Sequence, residues 1–268
     1  MQDNSNKILE TDQTSDGILR LLLNDPKNKN ALSDKLMMQL KEQLFKASTD
    51  NSIKVIIIAA VGDVFCSGHN LKELTDARGN EDDGGSYFLD LFNLCSSLMQ
   101  MIISCSKPVI AEINGVATAA GCQLVASCDL AIASDSSKFA TPGVNIGLFC
   151  STPMVALSRN ISKKDSMKML LTGDMINAEE AKRISLINDH VSADKLNDSV
   201  MSLAKKIASK PLSTVKIGKD AFYRQYEMSL TEAYEFTSKV MTENSLSDDA
   251  IEGIASFLEK RNPVWTDD

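Results

Sequence analysis

Residues 107–122 read KPVIAEINGVATAAGC, and residues 65–74 read FCSGHNLKEL. In each segment an apolar run predicts a strand, a few small residues predict a turn, and the residues that follow predict a helix. Small residues at such a turn let a ligand approach the backbone, and the N–H groups at the helix start point outward as donors. Two of these turns side by side would form an oxyanion hole, which stabilises a carbonyl oxygen that gains negative charge.

Strands and helices alternate along the first 195 residues. Four short apolar runs predict strands: GILRLLL (17–23), IKVIIIAA (53–60), PVIAEI (108–113) and CDLAIA (128–133). Ser33 is placed to cap a helix, and residues 86–103 predict a second, buried helix. This rhythm predicts an α/β core, residues 1–195, with parallel strands joined by right-handed crossovers.

The pattern changes beyond residue 195. Four segments with helical periodicity predict a C-terminal helical lobe, residues 196–268, that covers the site or mediates assembly. The acidic, glycine-rich segment 75–86 predicts a mobile surface loop. Met167, Met169 and Leu170 have helical spacing, and all three are predicted to lie in the core.

Composition excludes some partners. The chain has 268 residues, of which 43% are hydrophobic and 24% charged, as expected for a globular protein. Its net charge is −8, which argues against nucleic acid as the main partner. An anionic coenzyme stays possible, because a few lysines and helix N-termini can bind phosphate on an acidic protein. No resident metal or cofactor is expected.

The cysteines and the N-terminus predict the compartment. The six cysteines form no CxxC pair and lie mostly in apolar runs, which indicates reduced thiols. The first fifteen residues have neither the apolar centre of a signal peptide nor the arginine-rich character of a transit peptide. No apolar run approaches the length of a membrane span. We therefore expect a cytoplasmic protein with no membrane partner.

Four motifs in fixed order identify a family. FCSGHNL is followed about fifty residues later by KPVIAEINGVATAAGC, and then by CDLAIASDSSKFATPGVNIG and LLTGDMINAEEAKRISLIN. This order resembles the enoyl-CoA hydratase/isomerase (crotonase) family, from about residue 15 to the terminal FLEKRNPVW. The resemblance implies a crotonase-like spiral of ββα units with a C-terminal helical lobe. It also implies an acyl-CoA thioester as substrate, with coenzyme A part of that substrate.

The resemblance implies specific site residues. The two oxyanion donors would be the backbone N–H groups of His69 and of Ala120, the middle residue of the triplet Ala119-Ala120-Gly121. An alanine in that triplet keeps the N–H, so the hole is retained if the backbone there needs no positive φ. The implied substrate and coenzyme contacts are Lys27, Lys29, Ser67, Leu71, Lys72, Gly121 and Lys260.

The chain departs from the family at its acid/base positions. Hydratases carry glutamates where this chain has Gln123 and Gly143, and some relatives carry an aspartate where it has Ser151. Water addition needs a base and an acid, and none of these three residues supplies a charged group. We therefore expect a poor hydratase. Glutamates at 123 and 143 together should restore hydration if the loop at 142–147 tolerates a side chain.

Several alternatives stay open at the sequence level. The imidazole of His69 is either a packed polar group or a catalytic group. Cys122 and Cys150 are either buried small hydrophobes or thiolate nucleophiles. Asp129 is expected to be structural. The protein is either an enzyme acting on an acyl-CoA thioester or a non-catalytic acyl-CoA binder or structural subunit. A homotrimer, or a dimer of trimers, is expected from the resemblance.

Overall fold

The computed structural model describes residues 7–266 and contains two sheets. The larger sheet has the order β1-β2-β3-β5-β7-β10, and the smaller has the order β4-β6-β8-β9. All neighbouring strands are parallel except β1 with β2 and β8 with β9. The strands are β1 Leu9–Gln13, β2 Ile18–Leu23, β3 Val55–Ala60, β4 Val64–Cys66, β5 Val109–Ile113, β6 Val116–Thr118, β7 Leu130–Ser134, β8 Lys138–Ala140, β9 Ile176–Asn177 and β10 Asp189–Val191. The predicted parallel α/β fold is confirmed.

Eleven α-helices lie in the described part of the chain. They are α1 Asp34–Thr49, α2 Leu71–Ala77, α3 Gly85–Ser104, α4 Ala120–Ser127, α5 Ser151–Asn160, α6 Lys163–Thr172, α7 Ala178–Arg183, α8 Leu196–Ala208, α9 Leu212–Tyr226, α10 Leu230–Ser245 and α11 Asp248–Glu259. Short 3-10 helices span Pro26–Asn28, Pro142–Ile146 and Ala193–Lys195. The predicted cap of α1 is confirmed, because the Ser33 side chain accepts a hydrogen bond from the N–H of Leu36.

Strand β3 explains how the sheet is buried on both faces. Its side chains alternate between the faces, as the two-residue period of a strand requires. Ile56 and Ile58 pack in the main core with α1 and α3, whereas Val55 and Ile57 face Val200 of α8. The side chains of this continuous β-branched run therefore pack in two hydrophobic cores, one on each face of the sheet.

The C-terminal helices divide into two kinds. Helix α8 packs its apolar side on the larger sheet, and its buried residues include Val200 and Ala204. Helix α10 buries none of its residues, and α11 buries only Asp249 and Ser256. The division at residues 195 and 196 stays a prediction, and the packing of α8 favours grouping that helix with the core.

Two details differ from expectation. The loop predicted at 75–86 is shorter, because α2 continues to Ala77 and α3 begins at Gly85. Met167 is 49% exposed, so its core placement is wrong, while Met169 and Leu170 are buried as predicted. Helix α6 turns Met167 to the surface because its buried stripe is narrow.

Helix α3 confirms the helix predicted at 86–103 and extends it by one residue at each end. Its 20 residues, Gly85–Ser104, are long and apolar enough to cross a membrane by length and composition. The expectation that no apolar segment approaches that length is therefore corrected. One face of the helix, including Leu91, Cys95 and Leu98, packs in the main core against α1 and α4.

Candidate functional site

The Gly68 turn, residues 66–70, joins β4 to α2. Gly68 has φ +94°, a conformation that glycine adopts without the steric cost of a side chain. The turn is held on one side by the loop before α1, where the carbonyl of Lys29 accepts from the N–H of Ser67 (3.2 Å). The N–H of Leu32 donates in return to the carbonyl of Gly68 (2.8 Å).

Sequence reasoning missed the residue that shapes this supporting loop. Asn30 is fully buried, and its side-chain amide donates to the carbonyls of Val61 (3.0 Å) and Val64 (2.7 Å). Its side-chain oxygen accepts from the N–H of Asp25 (2.8 Å). The only sequence signal was an asparagine in a turn-rich segment, where a positive φ such as the observed +49° is common for this residue type.

The Ala119 turn, residues 118–121, joins β6 to α4 and lies against the Gly68 turn. The hydroxyl of Thr118 donates to the carbonyl of Ser67 (3.0 Å). A side chain at Gly121 would place its Cβ 2.1 Å from the carbonyl oxygen of Cys66, so only glycine fits. The two strand–turn–helix segments are therefore locked together at backbone contact distance.

The two predicted donors are brought together. A Cβ built on Gly68 would lie 3.2 Å from the backbone nitrogen of Ala120, so the chain next to His69 passes close to that nitrogen. Within residues 7–266 neither the N–H of His69 nor that of Ala120 donates a hydrogen bond. Ala120 begins α4, where the first N–H groups have no partner inside the helix.

From the sequence, alanines in the small triplet are acceptable only if the backbone there needs no positive φ. The two alanines differ in this respect. Ala120 lies in α4 without a positive φ, so the added methyl group causes no backbone strain there. Ala119 has φ +50° and ψ −119°, a region that favours glycine. The alanine at 119 is therefore strained, although it leaves the N–H of Ala120 in place.

The three acid/base positions are uncharged and differ in their surroundings. Gln123 is buried in α4, and its side-chain oxygen accepts from the thiol of Cys95 at 3.9 Å. Ser151 is exposed at the start of α5. Gly143 is buried, and a Cβ there would lie 2.5 Å from the carbonyl oxygen of Leu148. The loop has no room for a side chain at 143, so the condition placed on the rescue by paired glutamates is not met.

The His69 side chain lies beside α3. Both ring nitrogens are buried without a hydrogen-bond partner, and the ring meets Phe92 edge to face with centroids 5.4 Å apart. Burial lowers the pKa of His69 below its usual value, and the backbone of Leu32 and the charge of the nearby Asp34 carboxylate oppose this shift without reversing it. The imidazole is therefore neutral at neutral pH.

A group of titratable residues that sequence reasoning missed lies next to this ring. The hydroxyl of Tyr87 donates to the Asp34 carboxylate (3.1 Å), and the N–H of Asp34 donates to Glu73 (3.4 Å). Burial, together with the Asp34 charge, raises the pKa of Glu73. These residues lie on three separate helices, so no local sequence pattern indicates that they form a group.

The predicted coenzyme contacts are only partly assembled. Lys27 and Lys29 lie in the loop that supports the Gly68 turn, and Leu71 and Lys72 open α2 directly after it; all four are exposed. The Asn70 side chain caps α2 by accepting from the N–H of Lys72 (3.1 Å). Lys260 follows the end of α11, which packs mainly on α10.

Burial and hydrogen bonding bear on the roles left open for the two cysteines and on the role expected for Asp129. Burial raises the pKa of the Cys122 thiol to about 12 and also raises that of Cys150, which disfavours a thiolate nucleophile at either. Asp129 is structural as expected: its carboxylate accepts from Lys219 (2.6 Å), from Tyr223 (2.8 Å) and from the N–H of Val109 (2.7 Å). These bonds fasten α9 to the core.

Two further features of residues 7–266 bear on the site. No cluster of three or more His, Cys, Asp or Glu side chains is arranged to hold a metal ion there. A cavity of about 680 Å³ lies between the end of α3 and α9, beside Cys105, Lys216 and Arg224. None of the predicted site residues lines that cavity.

The model of the enoyl-CoA hydratase/isomerase family matches residues 13–268. The chain belongs to this family. Among solved structures, an enoyl-CoA hydratase from Mycobacterium smegmatis is 42% identical with a TM-score of 0.93, covering 97% of this chain and 99% of that one. The crotonase fold expected from the motifs is confirmed by this likeness.

The chain is also similar in sequence to named members of this family. Enoyl-CoA hydratase domain-containing protein 3, mitochondrial, of Xenopus laevis is 49% identical over 95% of this chain and 85% of its own. The 2,3-dehydroadipyl-CoA hydratase of Escherichia coli K12 is 30% identical, covering 92% of this chain and 94% of its own. The expectation of a cytoplasmic protein is wrong, because the Xenopus protein and its mouse and human counterparts are all named mitochondrial.

Proposed function

We propose that this protein is an enzyme that binds an acyl-CoA thioester and stabilises an enolate at its carbonyl oxygen. The proposal is carried by the two free donors, the N–H groups of His69 and Ala120, on turns in backbone contact. Fixed donors aimed at a developing oxyanion commonly contribute about 10²–10³-fold in rate each. The glycines at 68 and 121 allow the thioester to reach these donors at close range. Coenzyme A enters as part of the substrate, and no resident cofactor is required.

Coenzyme recognition falls to exposed lysines and to the start of α2. Lys27, Lys29 and Lys72 stand near the Gly68 turn and supply positive charge on an otherwise acidic protein. Ser67, Leu71 and Gly121 complete the contacts expected along the bound thioester. Lysine–phosphate attraction at an exposed site is screened by salt, so binding should weaken as ionic strength rises.

Calorimetry with butanoyl-CoA tests this binding. The wild type should bind, and Lys72→Ala should weaken binding by roughly tenfold, the loss of about one charge-assisted contact. Lys163→Ala, which removes an exposed lysine at the start of α6, is the matched control and should leave affinity unchanged. Absence of heat and of any thermal shift with acyl-CoA thioesters would overturn the proposal.

The proposed reaction is not efficient hydration. General acid and base groups typically contribute about 10²–10⁴-fold each, and Gln123 and Gly143 provide neither. Hydration of crotonyl-CoA, followed by the loss of enoyl absorbance, should therefore be very slow. Gln123→Glu alone should recover little, because the two groups of a hydratase act as a unit. Fast hydration by the wild type would contradict this assignment.

The uncharged acid/base positions also favour a second candidate, a non-catalytic acyl-CoA binder or structural subunit. Both candidates predict binding, and they differ in turnover. Incubation with saturated and unsaturated acyl-CoA thioesters, followed by mass spectrometry of the thioester, separates them. A binder returns every thioester unchanged, whereas an enzyme that forms the enolate exchanges the protons next to the carbonyl.

We propose further that the chain assembles as a homotrimer or a dimer of trimers in mitochondria. Large apolar side chains on α9–α11 are exposed, including Phe222, Leu230, Ile254 and Phe257, which is 81% exposed. Assembly would cover them and would allow Lys260 to reach a neighbouring coenzyme site. Sedimentation should give a trimer or hexamer at micromolar concentration, and a monomer would contradict this. The mitochondrial location follows the names of the relatives.

A further inference from the structure

The imidazole of His69 is the main unsatisfied polar group beside the candidate site. Both of its nitrogens are buried, and neither makes a hydrogen bond of normal geometry within residues 7–266, although the backbone of Leu32 lies close enough to raise the pKa of the ring. A buried polar group without a partner is rare and calls for an explanation, such as a role toward a ligand. The ring is held in place by apolar contact, edge to face against Phe92 of α3.

The position of the ring is fixed relative to the donors. His69 carries both the imidazole and one of the two candidate N–H donors, so the side chain is tethered beside the carbonyl that the donor would bind. Phe92 contacts the His69 ring, and Cys95, three residues along α3, contacts Gln123. Residues three apart share one helix face. His69 and Gln123 therefore contact neighbouring positions on one face of α3.

Burial keeps the ring neutral, against the charge of one neighbouring group. Asp34 on α1, Glu73 on α2 and Tyr87 on α3 form a hydrogen-bonded group, and Asp34 acts on the ring through its charge. Burial raises the pKa of the Cys66 and Cys95 thiols to about 12, so they stay uncharged. A neutral imidazole with free nitrogens can accept a proton at neutral pH.

We propose that the His69 imidazole is the proton acceptor that forms the enolate, in place of the glutamates that this chain lacks. The inference rests on the proposed function. The Cα–H bond of the bound acyl group breaks and its proton goes to a ring nitrogen. The bonding pair forms a C=C bond, and the carbonyl π pair moves to the oxygen held by the N–H groups of His69 and Ala120. Return of a proton from the imidazolium to Cα regenerates the thioester, so no co-reactant is needed.

Exchange of the α-protons of butanoyl-CoA in D₂O measures this step directly. The wild type should incorporate deuterium, and His69→Gln should lower the rate by about 10²–10⁴-fold. Its affinity for butanoyl-CoA should be kept, because the variant retains the backbone N–H. His190→Gln is the matched control: His190, the other histidine of the chain, lies on β10 and pairs with Asp135 at 2.6 Å. That variant should exchange like the wild type.

Two further readouts separate proton transfer from a packing role. The exchange rate should fall as pH is lowered, with its midpoint below 6.5, because only the neutral ring accepts a proton and burial disfavours the charged form. Free imidazole added to His69→Ala should restore part of the exchange, which a purely structural role would not give.

The outcomes distinguish this inference from the function on which it rests. If the wild type binds no acyl-CoA in calorimetry, the proposed function itself fails. If it binds but exchanges no α-proton, or if His69→Gln exchanges as fast as the wild type, the role of the imidazole is wrong while acyl-CoA binding stands.

Discussion

The Gly68 turn and the Ala119 turn place one candidate donor each, but they use glycine for different reasons. At Gly68 the backbone has φ +94°, which glycine adopts freely. At the Ala119 turn the positive φ of +50° is held by an alanine, and the glycine stands two residues later, where a Cβ would strike the carbonyl of Cys66. Backbone overlap thus excludes any other residue at 121, whereas a positive φ at 119 admits alanine at an energetic cost of about 1–3 kcal/mol.

The largest expected effect comes from Gly121→Ala. The new Cβ would lie 2.1 Å from the oxygen of Cys66, and neither backbone segment can yield without moving a whole turn. We expect a loss of about 3 kcal/mol in unfolding free energy, at the upper end for overpacking, measured by urea denaturation. Gly218→Ala is the matched control: it lies inside α9 with open space around it, and should gain about 0.5–1 kcal/mol. Equal effects of the two changes would contradict the steric account.

A smaller effect is expected from Gly68→Ala. The variant keeps φ near +94°, and its Cβ would approach the Cβ of Ala119 at 2.9 Å. Strain and contact together should cost about 2 kcal/mol in unfolding free energy. Affinity for butanoyl-CoA should fall as well, because the methyl group would lie 3.2 Å from the donor nitrogen of Ala120. A fully stable variant with unchanged affinity would mean that the two turns lie farther apart.

The smallest expected effect is an increase in the free energy of unfolding. Ala119→Gly relieves the positive φ, partly offset by the greater freedom of glycine in the unfolded chain, so unfolding free energy should rise by about 1 kcal/mol. It also removes the Cβ that Gly68→Ala would approach, so the double change should cost less than the sum of the single changes. A double-mutant cycle in urea gives the coupling, and strict additivity would show that the two side chains do not meet.

The local pattern made most of the fold predictable. The runs at β3 and β5, the Ser33 cap and the four C-terminal helices all follow from apolar spacing and capping residues. Met167 was misplaced because helical spacing alone does not say how wide the buried stripe is. The bounds of α3 were predicted to within one residue at each end, but its membrane-spanning length and apolar composition were missed because serine, asparagine and glutamine interrupt its apolar residues without interrupting the helix.

The candidate site was predictable only where its residues adjoin the two turns. His69, Ala120 and Gln123 were named from motif order, and the structure brings the segments that carry them together. Asn30, Asp34 and Tyr87 reach the site through tertiary contacts that span as many as 53 positions, which no short pattern encodes. The closed space at Gly143 likewise depends on the carbonyl of Leu148, so the sequence could not exclude a glutamate there.

We propose above that the N–H groups of His69 and Ala120 bind one thioester oxygen. A crystal structure of the protein with butanoyl-CoA tests it most directly. We expect the thioester oxygen about 2.7–3.2 Å from both backbone nitrogens, the normal range for an N–H···O bond. A bound thioester whose oxygen contacts neither nitrogen, or only one of them, would contradict it.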